Sequence, residues 1–258
     1  MLVNRRFARW CTGLLLAAAP AAGERALRVA AASDLETAMP EIVAAFGRSS
    51  GVRVEVVYGS SGNFVAQVRN GAPLDVFFSA DRAYAEKLAR AGLAGKVRSY
   101  ALGKIVLWVP ASSRLEPGRD GWAVLRDPGV ARIAVANPVH APYGRAAVEA
   151  LRGAGLYEAV EAKLVYGDNI SQAVQFVESG NAQAGIVAYA LTFSPALRGG
   201  KSWEVPARLY APIEQSVVVL KRGRDNPAAE ELVTFVTEGP GRQLLAKYGF
   251  APPEKGPQ

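Results

Sequence analysis

The fold of this chain is decided by the stretch 27-LRVAAASDLETAMPEIVAAF-46. Its first six residues form a short apolar run of the kind that is buried in a parallel sheet. Ser33 and Asp34 follow this run at once, and the apolar positions from Leu35 to Phe46 then recur at the spacing of an amphipathic helix. The stretch therefore predicts a strand, a short polar junction and a helix.

The same unit recurs through both halves of the chain. Further strands are predicted at 52–58, 75–79, 105–109, 133–136, 164–166, 185–189 and 213–220. Further helices are predicted at 64–68, 82–91, 144–154, 170–177, 228–237 and 241–248. Alternating elements of these lengths are typical of an α/β fold in which helices flank a mainly parallel sheet.

The length of the chain indicates two lobes, with a ligand cleft between them. Half of the 258 residues are apolar, which supplies enough material for two cores. The predicted boundaries are residues 24–108 plus 214–258 for lobe 1 and residues 109–213 for lobe 2. The apolar strands at their junctions are the predicted crossing points, because no low-complexity linker is present.

Residues 1–23 have the pattern of a secretion signal. Three arginines precede an apolar core from Trp10 to Ala19, and the small residues at 21–23 suit cleavage. Cys11, the only cysteine, lies within this segment, so the mature chain is expected to carry no thiol. We expect export to the periplasm without direct membrane insertion, since no later segment offers about 18 consecutive apolar residues.

Charge and motif content argue against several classes of protein. The net charge of +7 falls to +4 without the signal, and the basic residues are interspersed with acidic ones, which disfavours a nucleic-acid partner. An enzyme has little support, because His140 is the only histidine and no G-x-S-x-G or H-E-x-x-H motif occurs. We expect no cofactor and no resident metal, since Asp75, Asp81 and Asp168 stand where acidic residues usually cap helices.

Four strand-to-helix junctions carry small or hydroxyl residues. They are Ser33-Asp34, Ser60-Ser61-Gly62, Pro142-Tyr143-Gly144 and Asn169-Ile170-Ser171. In an open α/β sheet the carboxyl ends of the strands form the ligand crevice, and helix N-termini there present unpaired N–H groups. Two such ends from each lobe would form a cage for a tetrahedral oxyanion without any lysine or arginine. Each junction taken alone is more simply explained as a helix cap.

At these junctions the sequence resembles the periplasmic molybdate-binding proteins of ABC importers. The matching stretches are 29-VAAASDL-35, 59-GSSG-62, 75-DVFFSAD-81, 137-NPVHAPYG-144, 168-DNISQA-173, 185-GIV-187 and 247-KYGF-250. Each stretch is short, but their order and spacing are specific and extend through nearly the whole mature chain. The resemblance implies a two-lobed type II periplasmic binding protein fold whose lobes close on the anion.

The resemblance also implies which residues contact the anion. The contact positions of the family fall on Asp34 with Ser33 beside it, on Ser61, on Tyr143 and on the backbone N–H of Ile170. The position of Tyr143 is small in some members and tyrosine in others, so its hydroxyl is expected to contribute. No metal is expected in the site beyond the metal of the bound oxyanion.

Asp34 departs from the pattern of the family, in which serine or asparagine is more familiar. Unit like charges 4 Å apart repel by about 4 kcal/mol at an effective dielectric constant near 20, and a dianion roughly doubles this. We expect the carboxylate of Asp34 to cap its own helix, so that only its backbone N–H reaches the anion. The alternative is a protonated Asp34 that donates to the oxyanion.

These patterns predict reversible binding rather than catalysis. The expected ligand is molybdate or tungstate, which the sequence does not separate, and the expected partners are an inner-membrane ABC permease and its ATPase. One-to-one docking on a permease favours a monomer. A carrier of another oxyanion such as sulfate is the first alternative. The second is a secreted serine hydrolase with Ser61 as nucleophile and His140 as base.

Overall fold

The computed structural model describes residues 25–253, so the predicted signal segment lies outside the described residues. Its strands are β1 Leu27–Ala32, β2 Val54–Gly59, β3 Val76–Ser79, β4 Arg98–Gly103, β5 Ile105–Val109, β6 Ile133–Ala136, β7 Leu164–Gly167, β8 Ala184–Ala188, β9 Lys201–Glu204 and β10 Ile213–Val219. The strands β4 and β9 were not predicted, because both lie at sheet edges and carry mixed rather than apolar sequences.

The helices pack on the faces of the sheets that these strands form. They are α1 Met39–Ser50, α2 Ser61–Arg69, α3 Arg82–Arg90, α4 Pro117–Asp120, α5 Pro142–Gly153, α6 Tyr157–Val160, α7 Ile170–Glu178, α8 Pro227–Thr237 and α9 Gly241–Lys247. Within the described part of the chain, none of these helices is long and apolar enough to cross a membrane.

The two sheets share one topology. The strand order is β2-β1-β3-β10-β4 in the first sheet and β7-β6-β8-β5-β9 in the second. In each sheet one strand, β10 or β5, runs antiparallel to both of its neighbours, whereas the first three strands in the order are parallel to one another. The predicted α/β fold class is confirmed, with mixed sheets in which the reversed strand is the one that follows each crossing between lobes.

The crossing from the first sheet to the second falls earlier than predicted. The residues from Ile105 to Trp108, which the sequence prediction gave to lobe 1, pair with β8 in the second sheet. The chain therefore leaves the first sheet at Lys104, directly after β4. An apolar strand sequence shows that the strand is buried, but it does not show in which of two sheets it pairs.

The junction after β1 is longer than the sequence predicted. Residues Ser33–Leu35 form a short 3-10 turn, and α1 begins only at Met39, with Pro40 in its first turn. Proline is favoured there because its missing N–H has no helical acceptor to bond. The turn holds Ser33 and Asp34 at the carboxyl end of β1.

Candidate anion-binding site

The five residues predicted to contact an anion surround one small cavity between the two lobes. Ser33 and Asp34 follow β1, Ser61 begins α2, and Tyr143 and Ile170 lie in the first turns of α5 and α7. Within the described part of the chain, the lining is Ala32, Ser33, Asp34, Gly59, Ser60, Ser61, Ala80, Ala141, Pro142, Tyr143 and Ile170, with no lysine or arginine. Among residues 25–253, no cluster of acidic, histidine or cysteine side chains could hold a bare metal ion.

The two carboxyl oxygens of Asp34 have different surroundings, although the residue is fully buried. Oδ2 accepts hydrogen bonds from the hydroxyl of Tyr143 at 2.9 Å and from Nε2 of Gln215 at 2.8 Å. Oδ1 is buried and has no hydrogen-bond partner among the described residues. Because Tyr143 belongs to the second lobe, the carboxyl group of Asp34 connects the two lobes.

The orientation of Gln215 is fixed by its own neighbours. The hydroxyl of Tyr100 donates to Oε1 of Gln215 at 2.9 Å, which turns Nε2 toward Asp34. Nε2 also donates to the hydroxyl oxygen of Tyr143 at 3.2 Å, so the proton of that hydroxyl is left for Asp34. Gln215 stands at a bulge in β10, where the register against β4 shifts, and such bulges re-aim side chains beside functional sites.

The expectation that Asp34 caps its own helix is wrong. Its side chain makes no cap, because α1 begins only at Met39 and the carboxyl group reaches across the cavity to Tyr143. Burial raises the pKa of the Asp34 carboxyl to about 7, against the hydrogen bonds from Tyr143 and Gln215, which lower it. Burial also raises the pKa of the Tyr143 and Tyr100 hydroxyls well above the usual value, so both act as neutral donors.

Tyr143 differs from its expected role in one respect. Its single hydroxyl proton is directed to Asp34 Oδ2, so the hydroxyl has none to offer an anion. The backbone N–H of Tyr143, in the first turn of α5, is the group of this residue that is suited to an anion.

Ser61 and Ile170 present donors at helix N-termini on opposite sides of the cavity. The hydroxyl oxygen of Ser61 accepts the backbone N–H of Ala80 at 3.0 Å, which leaves its proton free to donate. Ile170 is the first residue of α7, where an amide has no intrahelical acceptor, and the side chain of Asn169 caps this helix at Gln172. The partial positive charge at both termini favours an anion.

Backbone and hydroxyl groups join the lobes next to the cavity. The amide of Gly62 in the first lobe donates to the carbonyl of His140 in the second at 2.9 Å. The hydroxyl of Ser171 donates to the carbonyl of Ser33 at 3.2 Å. The lobes are therefore closed on each other.

Charged and polar side chains join the lobes at the rim of the cleft. Arg145 forms an ion pair with Asp81, and Nδ2 of Asn63 donates to Asp168 at 3.2 Å. These side chains are partly exposed, so water screens them more than it screens the contacts beside the cavity.

The hydrolase alternative is not matched by the contacts of His140. Its Nδ1 lies 3.0 Å from the hydroxyl oxygen of Ser60, not of Ser61. Ser60 in turn accepts the amide of Asn63 as the N-cap of α2. Among the described residues, the partner of the Ser61 hydroxyl is the amide of Ala80, so His140 is not placed to activate Ser61.

Similarity to known proteins identifies the family. The model of a family described as bacterial extracellular solute-binding protein matches residues 27–251. The chain belongs to this family. The solute-binding protein is 41% identical over 241 residues to the molybdate-binding protein ModA of Azotobacter vinelandii, across 92% of this chain and 93% of that relative. It is 40% identical over 235 residues to the ModA of Rhodobacter capsulatus, across 90% of each chain.

A solved structure agrees with these relatives. The periplasmic molybdate-binding protein of Azotobacter vinelandii superposes on this solute-binding protein with a TM-score of 0.80 and 34% identity, covering 88% of this chain and all of that chain. The resemblance to periplasmic molybdate-binding proteins and the two-lobed type II fold are thereby confirmed. These relatives are solute-binding proteins rather than enzymes.

Three residues of the site were missed by the sequence reasoning: Gln215, Tyr100 and Ser171. A signal for Gln215 was present, because three consecutive polar residues, Glu214 to Ser216, interrupt the apolar strand 213-IEQSVVV-219, and a buried polar group usually has a specific partner. Tyr100 gave no such signal, since its strand was not predicted. Ser171 was predicted only to lie at a helix start, not to contact the other lobe.

Proposed function

We propose that this solute-binding protein captures molybdate in the periplasm and delivers it to an ABC permease with its ATPase. The observation that carries the proposal is the make-up of the cavity. Uncharged hydroxyl and amide donors converge from both lobes, and no lining side chain is basic. A tetrahedral oxyanion accepts hydrogen bonds in four directions and suits such a cage. The similarity to two proteins named for molybdate binding supports this ligand.

The proposed contacts use all five predicted residues. The hydroxyls of Ser33 and Ser61 and the backbone amides of Asp34, Tyr143 and Ile170 donate to the anion. The closed lobes exclude water, and each donor that an anion fails to reach would stay buried and unpaired, at a cost of about 1–3 kcal/mol. Smaller oxyanions such as sulfate and phosphate are therefore bound more weakly than molybdate or tungstate.

Isothermal titration of the protein without residues 1–23 tests the ligand. We expect tight one-to-one binding of molybdate and tungstate near neutral pH, with sulfate and phosphate at least tenfold weaker. Preference for sulfate would keep the transport role and overturn the ligand. No binding of any of the four anions would overturn the proposal.

The amide of Ile170 can be removed without loss of the helix. Ile170→Pro deletes this N–H at the first helical position, where proline is tolerated, and Asn169 already has the extended backbone that a following proline requires. We expect a 10- to 100-fold loss of molybdate affinity by titration. The control Ile170→Ala removes the apolar side chain but keeps the N–H, and should bind nearly as well as the parent.

Release at the permease requires the lobes to separate. We place the hinges at Lys104 and just before Ile213, where the chain passes between the sheets. The protein is proposed to act as a monomer. Small-angle scattering with and without molybdate should show a monomer that becomes more compact on binding; an unchanged radius of gyration would contradict the hinge assignment.

A further inference from the structure

We propose that Asp34 holds the oxyanion as a neutral carboxylic acid, whose Oδ1–H donates to an anion oxygen, so that each anion is captured together with one proton. The inference rests on the proposed function, because it concerns the same cavity. The carboxyl group of Asp34 then contributes a hydrogen-bond donor to the cavity rather than a negative charge that repels the anion.

The hydrogen bonds at Oδ2 determine where the proton lies. Tyr143 and Gln215 both donate to Oδ2, at 2.9 and 2.8 Å, which fills the two acceptor positions of that oxygen. Gln215 cannot reverse its amide without losing the hydroxyl bond from Tyr100. A proton on the carboxyl group therefore belongs on Oδ1, the oxygen without a partner among the described residues.

The surroundings of Asp34 favour the neutral acid over the carboxylate. The residue is fully buried, and its hydrogen-bond partners are an amide and a phenol rather than a cation. Burial raises the pKa of the Asp34 carboxyl to about 7, and the negative charge of a bound dianion raises it further.

Other titratable groups near the cavity could also take up a proton. Glu36 follows on the same turn, and burial raises the pKa of its carboxyl. His140, on the loop before α5, contacts Ser60. The Tyr100 and Tyr143 hydroxyls keep their protons, because burial raises the pKa of both well above the usual value. Glu36 and His140 are therefore the groups that an experiment must separate from Asp34.

Proton capture gives anion affinity a defined dependence on pH. With the lobes open, Asp34 meets water and its pKa returns toward about 4, so the free protein holds a carboxylate at neutral pH. Closure on the anion then takes one proton from the solvent and forms one O–H bond. The dissociation constant should rise by up to tenfold per pH unit between the free and the bound pKa, because the bound state holds the extra proton.

Calorimetric titration with molybdate in two buffers of different ionisation enthalpy measures this proton directly. For the parent protein between pH 6 and 8 we expect uptake of close to one proton per anion and a dissociation constant that rises by up to about 100-fold. For Asp34→Asn, which keeps a neutral donor, we expect no uptake and an affinity that does not vary with pH. Thermal unfolding confirms that each variant is folded.

Two matched variants assign the proton. Glu36→Gln and His140→Asn should both retain the uptake of the parent. Loss of uptake in either of them, with uptake retained in Asp34→Asn, would overturn the inference. So would a parent protein that binds molybdate with no proton uptake and at constant affinity. If neither the parent nor Asp34→Asn binds molybdate, the proposed function fails instead.

Discussion

Two fully buried aspartates stand at opposite ends of the first sheet, and their partners differ completely. Asp75, just before the amino end of β3, accepts from Arg25 and Arg222 at 2.9 Å each and from the backbone N–H of Arg28 at 2.9 Å. Asp34, just past the carboxyl end of β1, has Tyr143 and Gln215 as its side-chain donors among the described residues, and both are neutral.

Burial alone therefore does not decide what a carboxyl group does. The hydrogen bonds of Asp75 to the two arginines and to the amide of Arg28 join β1, β3 and the segment after β10. Asp34 has no cation partner within residues 25–253, so it is costly as a carboxylate and can change its protonation when its surroundings change. The carboxyl ends of the strands, where ligands bind in α/β sheets, carry the second kind of site.

The largest expected effect is a pH-dependent gain in stability for Asp34→Asn. With the lobes closed, burial raises the pKa of the Asp34 carboxyl to about 7, above the value of about 3.9 expected when the chain is unfolded. The contribution of Asp34 to the stability of the folded parent is therefore fully present below about pH 4. It is lost as the pH rises through 7, by up to about 4 kcal/mol. Urea unfolding of both proteins with saturating molybdate, which holds the lobes closed, from pH 4.5 to 8, should show the variant gaining on the parent. A difference in the free energy of unfolding that stays the same at every pH would contradict the raised pKa of Asp34.

The same substitution at Asp75 should lower the stability of the protein instead of raising it. Asp75→Asn removes the carboxylate that accepts hydrogen bonds from the partly exposed Arg25 and Arg222, and we expect a loss of about 1.5–3 kcal/mol in the free energy of unfolding at neutral pH. The measurement is the same urea unfolding, with Asp34→Asn as the matched control. Equal stability of Asp75→Asn and the parent would show that the two aspartates are not distinct in kind.

A smaller effect is expected from Gly103→Ala, which acts on Asp34 through its partners. A Cβ at residue 103 would overlap the hydroxyl of Tyr143 and lie 3.0 Å from Nε2 of Gln215, so both donors must move. We expect molybdate to bind about 10- to 100-fold more weakly by titration, as for the loss of a hydrogen bond to a buried polar group. The control is Gly95→Ala, where the nearest atom is 3.7 Å from the added Cβ. Similar losses in both variants would contradict this mechanism.

The smallest effect is expected at the rim of the cleft. Arg145→Ala removes the ion pair with Asp81 that spans the two lobes, and exposed pairs of this kind contribute about 0.2–1 kcal/mol. Molybdate affinity should fall about two- to fivefold, and less at high salt. Arg114→Ala breaks a comparable pair with Asp127 within the second lobe and should leave affinity unchanged. Equal losses of molybdate affinity in the two variants would indicate that the change in net charge, and not the loss of a contact between the lobes, weakens binding.

The sequence indicated the cavity better than the bonding within it. The junctions that contain Ser33, Ser61 and Ile170 were predicted because hydroxyl residues and helix starts follow apolar strands, which are local patterns. The resemblance to the molybdate-binding family then indicated these residues within the junctions. The partners of Asp34 were missed, because Gln215 is 181 residues away along the chain and its orientation depends on a bulge and on Tyr100. No local pattern encodes such a contact.

By itself, the sequence determined the alternation of strands and helices, the two-lobed α/β class and the junctions that line the cavity between the lobes. These follow from hydrophobic periodicity and from the open amides at helix starts, which are local properties of the chain. Only the tertiary structure decided that β5 pairs in the second sheet and that Asp34 faces Tyr143 and Gln215 instead of its own helix. The physical reason is that strand pairing, burial and the pKa of a carboxyl group depend on residues distant in sequence, which folding alone brings together.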